Sequence, residues 1–162
     1  MQWRSETRTS DADAVGKLVE ETGFFSPDEQ DIAVELVEER LARGAESGYE
    51  FLFADDPEHD GQLLGYTCFG PIPATQSSFD LYWIAVSPKM QRRGIGARLV
   101  AETERLAQQM GAVRLFVDTA GRPEYAPTRA FYERMGYRLE ANLTDFYAPG
   151  DAKIIYAKTL IA

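Results

Sequence analysis

Asp80-Leu-Tyr-Trp-Ile-Ala-Val-Ser-Pro-Lys-Met-Gln-Arg-Arg-Gly-Ile-Gly-Ala-Arg-Leu-Val100 joins an apolar strand to a glycine turn that opens a helix. The first turn of a helix carries unpaired N–H groups and the positive end of the macrodipole, and Gly94 and Gly96 place no side chain between that backbone and an anion. Arg92 and Arg93 add positive charge at the same point. This is a phosphate-binding arrangement. A Walker loop would end in Gly-Lys-Ser/Thr, which the chain lacks. A dinucleotide fingerprint would need a third glycine where Leu99 stands, and it would come earlier in a domain.

Around this stretch, 162 residues with 44% hydrophobic content and 27% charge describe one globular domain over residues 1–162, long enough to bury a core without staples. No apolar run approaches the ~20 residues of a membrane helix, and the charged start has no signal-peptide core, so the cytoplasm is the expected location and no membrane partner is expected. A single cysteine, Cys68, excludes an internal disulfide and a thiolate-rich metal site. A single histidine, His59, argues against a histidine metal site and a Ser/His/Asp triad. No metal is expected. Cys68 lies in the strand-like Leu63-Leu-Gly-Tyr-Thr-Cys-Phe69 and reads as core, and His59 lies in the polar Asp55–Gly61 turn and reads as solvated.

Charge is divided unevenly along the chain. Residues 1–60 carry 17 Asp/Glu against 5 Lys/Arg, whereas residues 61–162 carry 9 against 12. The first part is a poor surface for nucleic acid. The division suits an anionic ligand on the second part and a cationic one near the first, and a solvated acidic face explains it equally well.

Punctuation by Gly, Pro and Ser sets the order of elements. A strand is expected over Gln2–Arg8, then a helix capped by Ser10 and ending at Gly23. Ser26-Pro-Asp-Glu29 is a capping box with proline at the first helical position; Gly44 ends this second helix, and Ile32, Leu36, Val37 and Leu41 form its expected buried stripe. Tyr49–Ala54 and Gln62–Phe69 read as a hairpin, followed by a strand at Phe79–Val86. The helix from Gly94 to Met110 presents Ile95, Leu99, Leu106 and Met110 to the core and stops at Gly111. Val113–Val117 reads as a short buried parallel strand, Pro127 to Gly136 as a short helix, and Tyr137–Tyr147 with Lys153–Leu160 as a closing pair of strands. The order β-α-α-β-β-β-α-β-α-β-β is a mixed α/β unit with one strand–helix–strand crossover.

Gln91-Arg-Arg-Gly-Ile-Gly96 resembles the signature Gln/Arg-x-x-Gly-x-Gly/Ala of the GNAT family, the Gcn5-related N-acetyltransferases, and Pro127-Thr-Arg-Ala-Phe-Tyr-Glu-Arg-Met-Gly-Tyr137 resembles that family's second motif. The resemblance implies the GNAT fold, a mixed and mostly antiparallel sheet with a β-α-β acetyl-CoA-binding core flanked by helices. It also implies acetyl transfer from acetyl-CoA to a primary amine by direct attack in a ternary complex. By the same analogy Gln91, Arg92, Arg93, Gly94, Ile95, Gly96 and Ala97 surround the pyrophosphate. Pantetheine pairs with Ile84, Ala85 and Val86 where that strand splays from Val113–Val117, and the Ile84 N–H holds the acetyl carbonyl. There is one departure, Tyr125, which stands where family members often have asparagine.

Tyr132 corresponds to the family's usual general acid. Helical spacing turns it ~100° from Phe131, so that Phe131 and Met135 face the core and Tyr132 faces the splay. Asp80, fourteen residues before Gly94, stands where histone-acetylating relatives keep a glutamate base. Strict alternation places Asp80, Tyr82, Ile84 and Val86 on one strand face, with Asp80 ~13 Å from Ile84, so a water relay or a bulge is needed. Glu124 and Asp118 are weaker base candidates, Tyr82 is a wall of the site, and Phe24 and Phe25, between the first two helices, are either acceptor pocket or core. The acceptor expected is a small cationic amine. A protein N-terminus or lysine is the alternative, and a non-catalytic acyl-CoA-binding module is the reading of a different class. Neither acceptor identity nor oligomeric state, homodimer included, is written in a motif.

Overall fold

The computed structural model describes residues 1–160. Its strands are β1 (Gln2–Arg4), β2 (Glu50–Asp55), β3 (Leu63–Pro71), β4 (Ser78–Val86), β5 (Arg114–Ala120), β6 (Arg138–Ala148) and β7 (Asp151–Thr159). Its helices are α1 (Asp11–Thr22), α2 (Pro27–Arg43), α3 (Ile95–Gln109) and α4 (Ala126–Arg134). The strands form one sheet in the order β1-β2-β3-β4-β5-β7-β6, antiparallel except between β4 and β5. The α3 crossover makes that one pair parallel, because a chain that returns across a helix re-enters the sheet in the same direction.

Alternation along β2 separates two cores. Phe51 and Phe53 pack with Val15, Val19 and Val37 of α1 and α2, while Leu52 and Ala54 pack with Ile95 and Leu99 of α3. The α3–β3 contact carries one buried polar link, between Thr67 and Thr103 hydroxyls 2.7 Å apart. Thr103 donates to the Leu99 carbonyl at 2.7 Å, so Thr67 donates to Thr103 and both hydroxyl protons are satisfied. This link fixes α3 against β3, and with it the place where the helix begins.

Several sequence expectations shift. The first strand stops at Arg4 rather than Arg8, because the Arg4 guanidinium turns into a buried cluster with Asp11 (2.8 Å) and Asp55 (2.7 Å). Ser10 occupies the N-cap of α1 but its side chain makes no capping bond; Asp11 takes the Arg8 N–H instead at 2.7 Å. In α2 the capping box forms as expected, with Ser26 and Glu29 exchanging bonds. Its buried stripe forms only in part: Val37 is buried and Leu36 packs against the core as expected, whereas Ile32 is 46% and Leu41 39% exposed and Ala33 is buried in their place. The helix is rotated to bring its small residues against α1, where Val34 lies over Gly16. Met110 and Val113 are also exposed, since the chain reverses through Gly111 between α3 and β5. Cys68 is fully buried, and burial pushes its thiol pKa up, as a core residue requires.

Candidate active site

The parallel ladder between β4 and β5 runs from Ser78 opposite Arg114 to Leu81 opposite Val117, and stops there. Beyond it β4 continues to Val86 on β3 alone, and β5 continues to Ala120 on β7 alone. The two strands splay into a cleft of about 950 Å³ and leave the β4 edge from Tyr82 to Val86 unpaired on the β5 side.

A bulge sits at the mouth of this splay. Phe69 lies opposite Leu81 and Cys68 opposite Trp83, so Tyr82 is the extra residue of β4. An extra residue flips the alternation that follows it. Tyr82, Trp83 and Ala85 therefore pack toward α1 and α2, while Ile84 and Val86 pack toward α3. The expectation that Asp80, Tyr82, Ile84 and Val86 share one face is corrected accordingly.

The N-terminus of α3 opens into the same cleft. Gly94, with φ +74°, is its N-cap, and no side chain caps it. The Ile95, Gly96 and Ala97 amides precede the first intrahelical bond, from Arg98 N–H to Gly94 O at 3.1 Å, so they are free to donate outward. Gln91, Arg92, Gly94, Ile95, Gly96 and Ala97 line the cleft, together with Ile84, Ala85 and Val86. Arg93, expected among them, is exposed and does not line it. Arg92 has a left-handed φ of +68°, one turn residue before Gly94, so two positive-φ residues bend the chain to aim these amides. The residues present fit a pyrophosphate.

Tyr132 lines the splay as expected but is also a member of the core. Its ring is 2% exposed, packed edge-on to Phe131 and Tyr137 at 5.2 and 5.5 Å, and it forms part of the cleft floor. Phe131, expected in the core, is only partly buried and stands beside Gly96. The α4 helix thus directs its position 132 into the sheet and its position 131 along the cleft wall. Burial, with a smaller contribution from Tyr125, pushes the Tyr132 phenol above its ordinary pKa, which keeps it protonated at neutral pH.

Asp80 is half-buried and does not line the cleft, whereas Asp118 does. Burial pushes the Asp80 carboxyl up to about 6; the Asp118 charge adds to the rise and the Lys153 ammonium opposes it. Lys153 Nζ lies 3.3 Å from Asp118. Tyr82, in the bulge, is pushed up to about 12 by burial first and by Asp80 second. Asp80 thus interacts electrostatically with two residues that line the cleft, Tyr82 and Asp118, without lining it itself. Glu124, the other weak base candidate, is exposed, pairs loosely with Arg122 at 3.9 Å, and does not line the cleft.

Phe24 and Phe25 both line the cleft. Phe25 lies on Trp83 with ring centroids 5.0 Å apart. Sequence reasoning missed Glu29, whose capping role in α2 concealed that it also lines the cleft, and it missed Trp83 as a wall. Tyr125, the departure from the family motif, lines the cleft too.

The acetyltransferase (GNAT) family model matches residues 17–137, which span both the α3 turn and α4. The chain belongs to that family. A protein described as an acetyltransferase of the GNAT family from Desulfovibrio desulfuricans is 46% identical, with a TM-score of 0.93 and 99% of each chain covered. An aminoglycoside 6'-N-acetyltransferase complexed with coenzyme A shares the fold at 21% identity and a TM-score of 0.80, over 100% of this chain and 98% of that one. The ribosomal-protein-S18-alanine N-acetyltransferase from Escherichia coli does so at 19% identity and 0.75, over 99% and 94%. No curated protein matches in sequence. Acetyl-CoA is the acetyl donor of the GNAT family. No helix among the chain's described residues is long and apolar enough to cross a membrane.

Proposed function

We propose that this acetyltransferase moves an acetyl group from acetyl-CoA to the primary amine of a small cationic acceptor, by direct attack in a ternary complex. The observation that carries the reading is the convergence of an unpaired β4 edge and an uncapped α3 N-terminus on one cleft. Acetyl-CoA supplies an acetyl group activated as a thioester. The free Ile95, Gly96 and Ala97 amides, with the turn at Arg92 and Gly94, hold its pyrophosphate, and the β4 edge at Ile84–Val86 pairs with its pantetheine arm. The Ile84 N–H supports the acetyl oxygen; an oxyanion donor of this kind is worth ~3 kcal/mol in other enzymes.

Tyr132 is the general acid, protonated and buried on the cleft floor, where it donates to the departing thiolate. Asp80 is the general base. With a pKa of about 6 it is ionised at neutral pH yet basic enough to take a proton from the acceptor ammonium. It acts through a water beside Tyr82, because Asp80 does not itself line the cleft. Glu29 and Asp118 both line the cleft and offer carboxylates to a cationic acceptor, Asp118 sharing its charge with Lys153.

The test is thiol release from acetyl-CoA with polyamines, amino acids, aminoglycosides and short peptides, beside calorimetric acetyl-CoA binding. Turnover with small cationic amines supports the reading. Turnover confined to peptides would move the acceptor to protein, and tight binding without turnover in the whole panel would favour the acyl-CoA-binding module.

A further inference from the structure

The two arms of the splay meet again through aromatic side chains. Phe25, at the α1–α2 joint, lies on Trp83 of β4. Phe24 stands edge-on to Phe25 at 5.2 Å and reaches across to Tyr125, at the start of α4, at 5.1 Å. The Arg122 guanidinium covers the Tyr125 ring at 4.6 Å and is itself held by Asp151 of β7 at 3.0 Å. The stack therefore runs from β4 to β7 over the gap that the sheet leaves open.

Its members are held rather than loose. Gly23, in the left-handed conformation, ends α1 and sets the direction of Phe24. Pro123 and Pro127 flank Tyr125 and restrict the backbone on both sides. Core packing does not account for the bridge, since Phe24 is 39% exposed. The indole N–H of Trp83, in the cleft wall under Phe25, is buried and has no hydrogen-bond partner among the described residues.

We propose that Phe24 and Tyr125 form a closed aromatic strap that sets the size of the acceptor. The strap passes slender aliphatic amines and excludes multi-ring amino sugars and the chain ends of folded proteins. This rests on the acetyl-transfer reading above and names its acceptor more narrowly. Tyr125 thereby gains a role of its own at the position where the sequence departs from the family pattern.

Two measurements test it. The first is the ratio of kcat/KM for an aminoglycoside to that for a linear alkyl diamine. Phe24→Ala and Tyr125→Ala each raise the ratio about tenfold, Tyr125→Phe retains the wild-type ratio, and the double alanine variant adds little because the two rings share one contact. The acetyl-CoA KM stays within about twofold throughout. The second measurement is acrylamide quenching of Trp83 in a Trp3→Phe background, since Trp3 and Trp83 are the two tryptophans. Quenching rises in both alanine variants and not in Tyr125→Phe. An unchanged ratio in both alanine variants, or unchanged quenching, overturns the strap. A wild-type enzyme that releases no thiol with any amine overturns the acetyl-transfer reading instead, and quenching still tests the strap.

Discussion

Asp80→Asn separates the pH dependence of the enzyme from that of its acceptor. With a pKa of about 6, Asp80 is ~90% ionised at pH 7 and ~10% ionised at pH 5, so a step that needs the carboxylate slows about tenfold over that range. An aspartate with the ordinary pKa of ~3.9 would lose under ~10% of its ionised form over the same interval. The acceptor ammonium also titrates, and by the same factor in both enzymes. The ratio of wild-type to Asp80→Asn kcat/KM, measured by thiol release at saturating acetyl-CoA, cancels it. That ratio should fall about tenfold from pH 7 to pH 5 with a midpoint near 6. A flat ratio, or a midpoint near 4, would refute Asp80 as the base. Stability should move the other way. A carboxyl whose folded pKa lies above its unfolded value binds its proton more tightly in the native state, so its contribution is most favourable below pH ~4, declines through pH ~6, and is flat above. At pH 7 Asp80→Asn should be more stable than wild type by about 1 kcal/mol, the full shift being discounted for the solvent that screens a half-buried group. At pH 4 or below the two should converge in urea denaturation.

Other perturbations test neighbouring parts of the account. Asp118→Asn removes a charge that raises the Asp80 pKa and should shift the acid limb of kcat/KM to lower pH, whereas Lys153→Met should shift it higher; movement in the reverse sense would contradict the electrostatics. Tyr132→Phe should lower kcat by ~10² or more while leaving acetyl-CoA affinity within about twofold, and unchanged turnover would remove the general-acid role. Asp11→Ala leaves the Arg4 guanidinium, 10% exposed, with Asp55 as its remaining carboxylate partner and should destabilise the fold by about 2 kcal/mol in chemical denaturation without changing acetyl-CoA binding.

Element order was legible because glycine, proline and serine mark most of the ends: Ser26 with Pro27 opens α2, Gly94 opens α3, and Gly111 and Gly136 close α3 and α4. The cleft's turn was legible for the same reason, since the left-handed backbone at position 94 calls for glycine. The bulge was not. Whether Tyr82 is extra depends on where Phe69 and Cys68 of another strand fall, and a local period of two carries no trace of that. The rotation of α2 was hidden likewise: Ile32 and Leu41 satisfy a helical stripe with Val37, but close approach to α1 buries the smaller Ala33 beside Val37 and leaves them exposed. Tyr132 illustrates a further limit. A 100° turn separates it from Phe131, yet only the packing of α4 on the sheet determines which of the two enters the core.

The most direct measurement is calorimetric titration of acetyl-CoA into the wild-type protein and into Gly94→Glu. Gly94 has the left-handed φ of +74°, which strains any L side chain, and an added Cβ meets nothing within 4 Å, so a glutamate there disturbs the turn and adds negative charge beside the amides assigned to the pyrophosphate. The account predicts one-to-one binding to the wild type and loss of at least ~100-fold in affinity for the folded variant, equivalent to ~2.7 kcal/mol. Wild-type affinity in Gly94→Glu, or no binding to either protein, would contradict it.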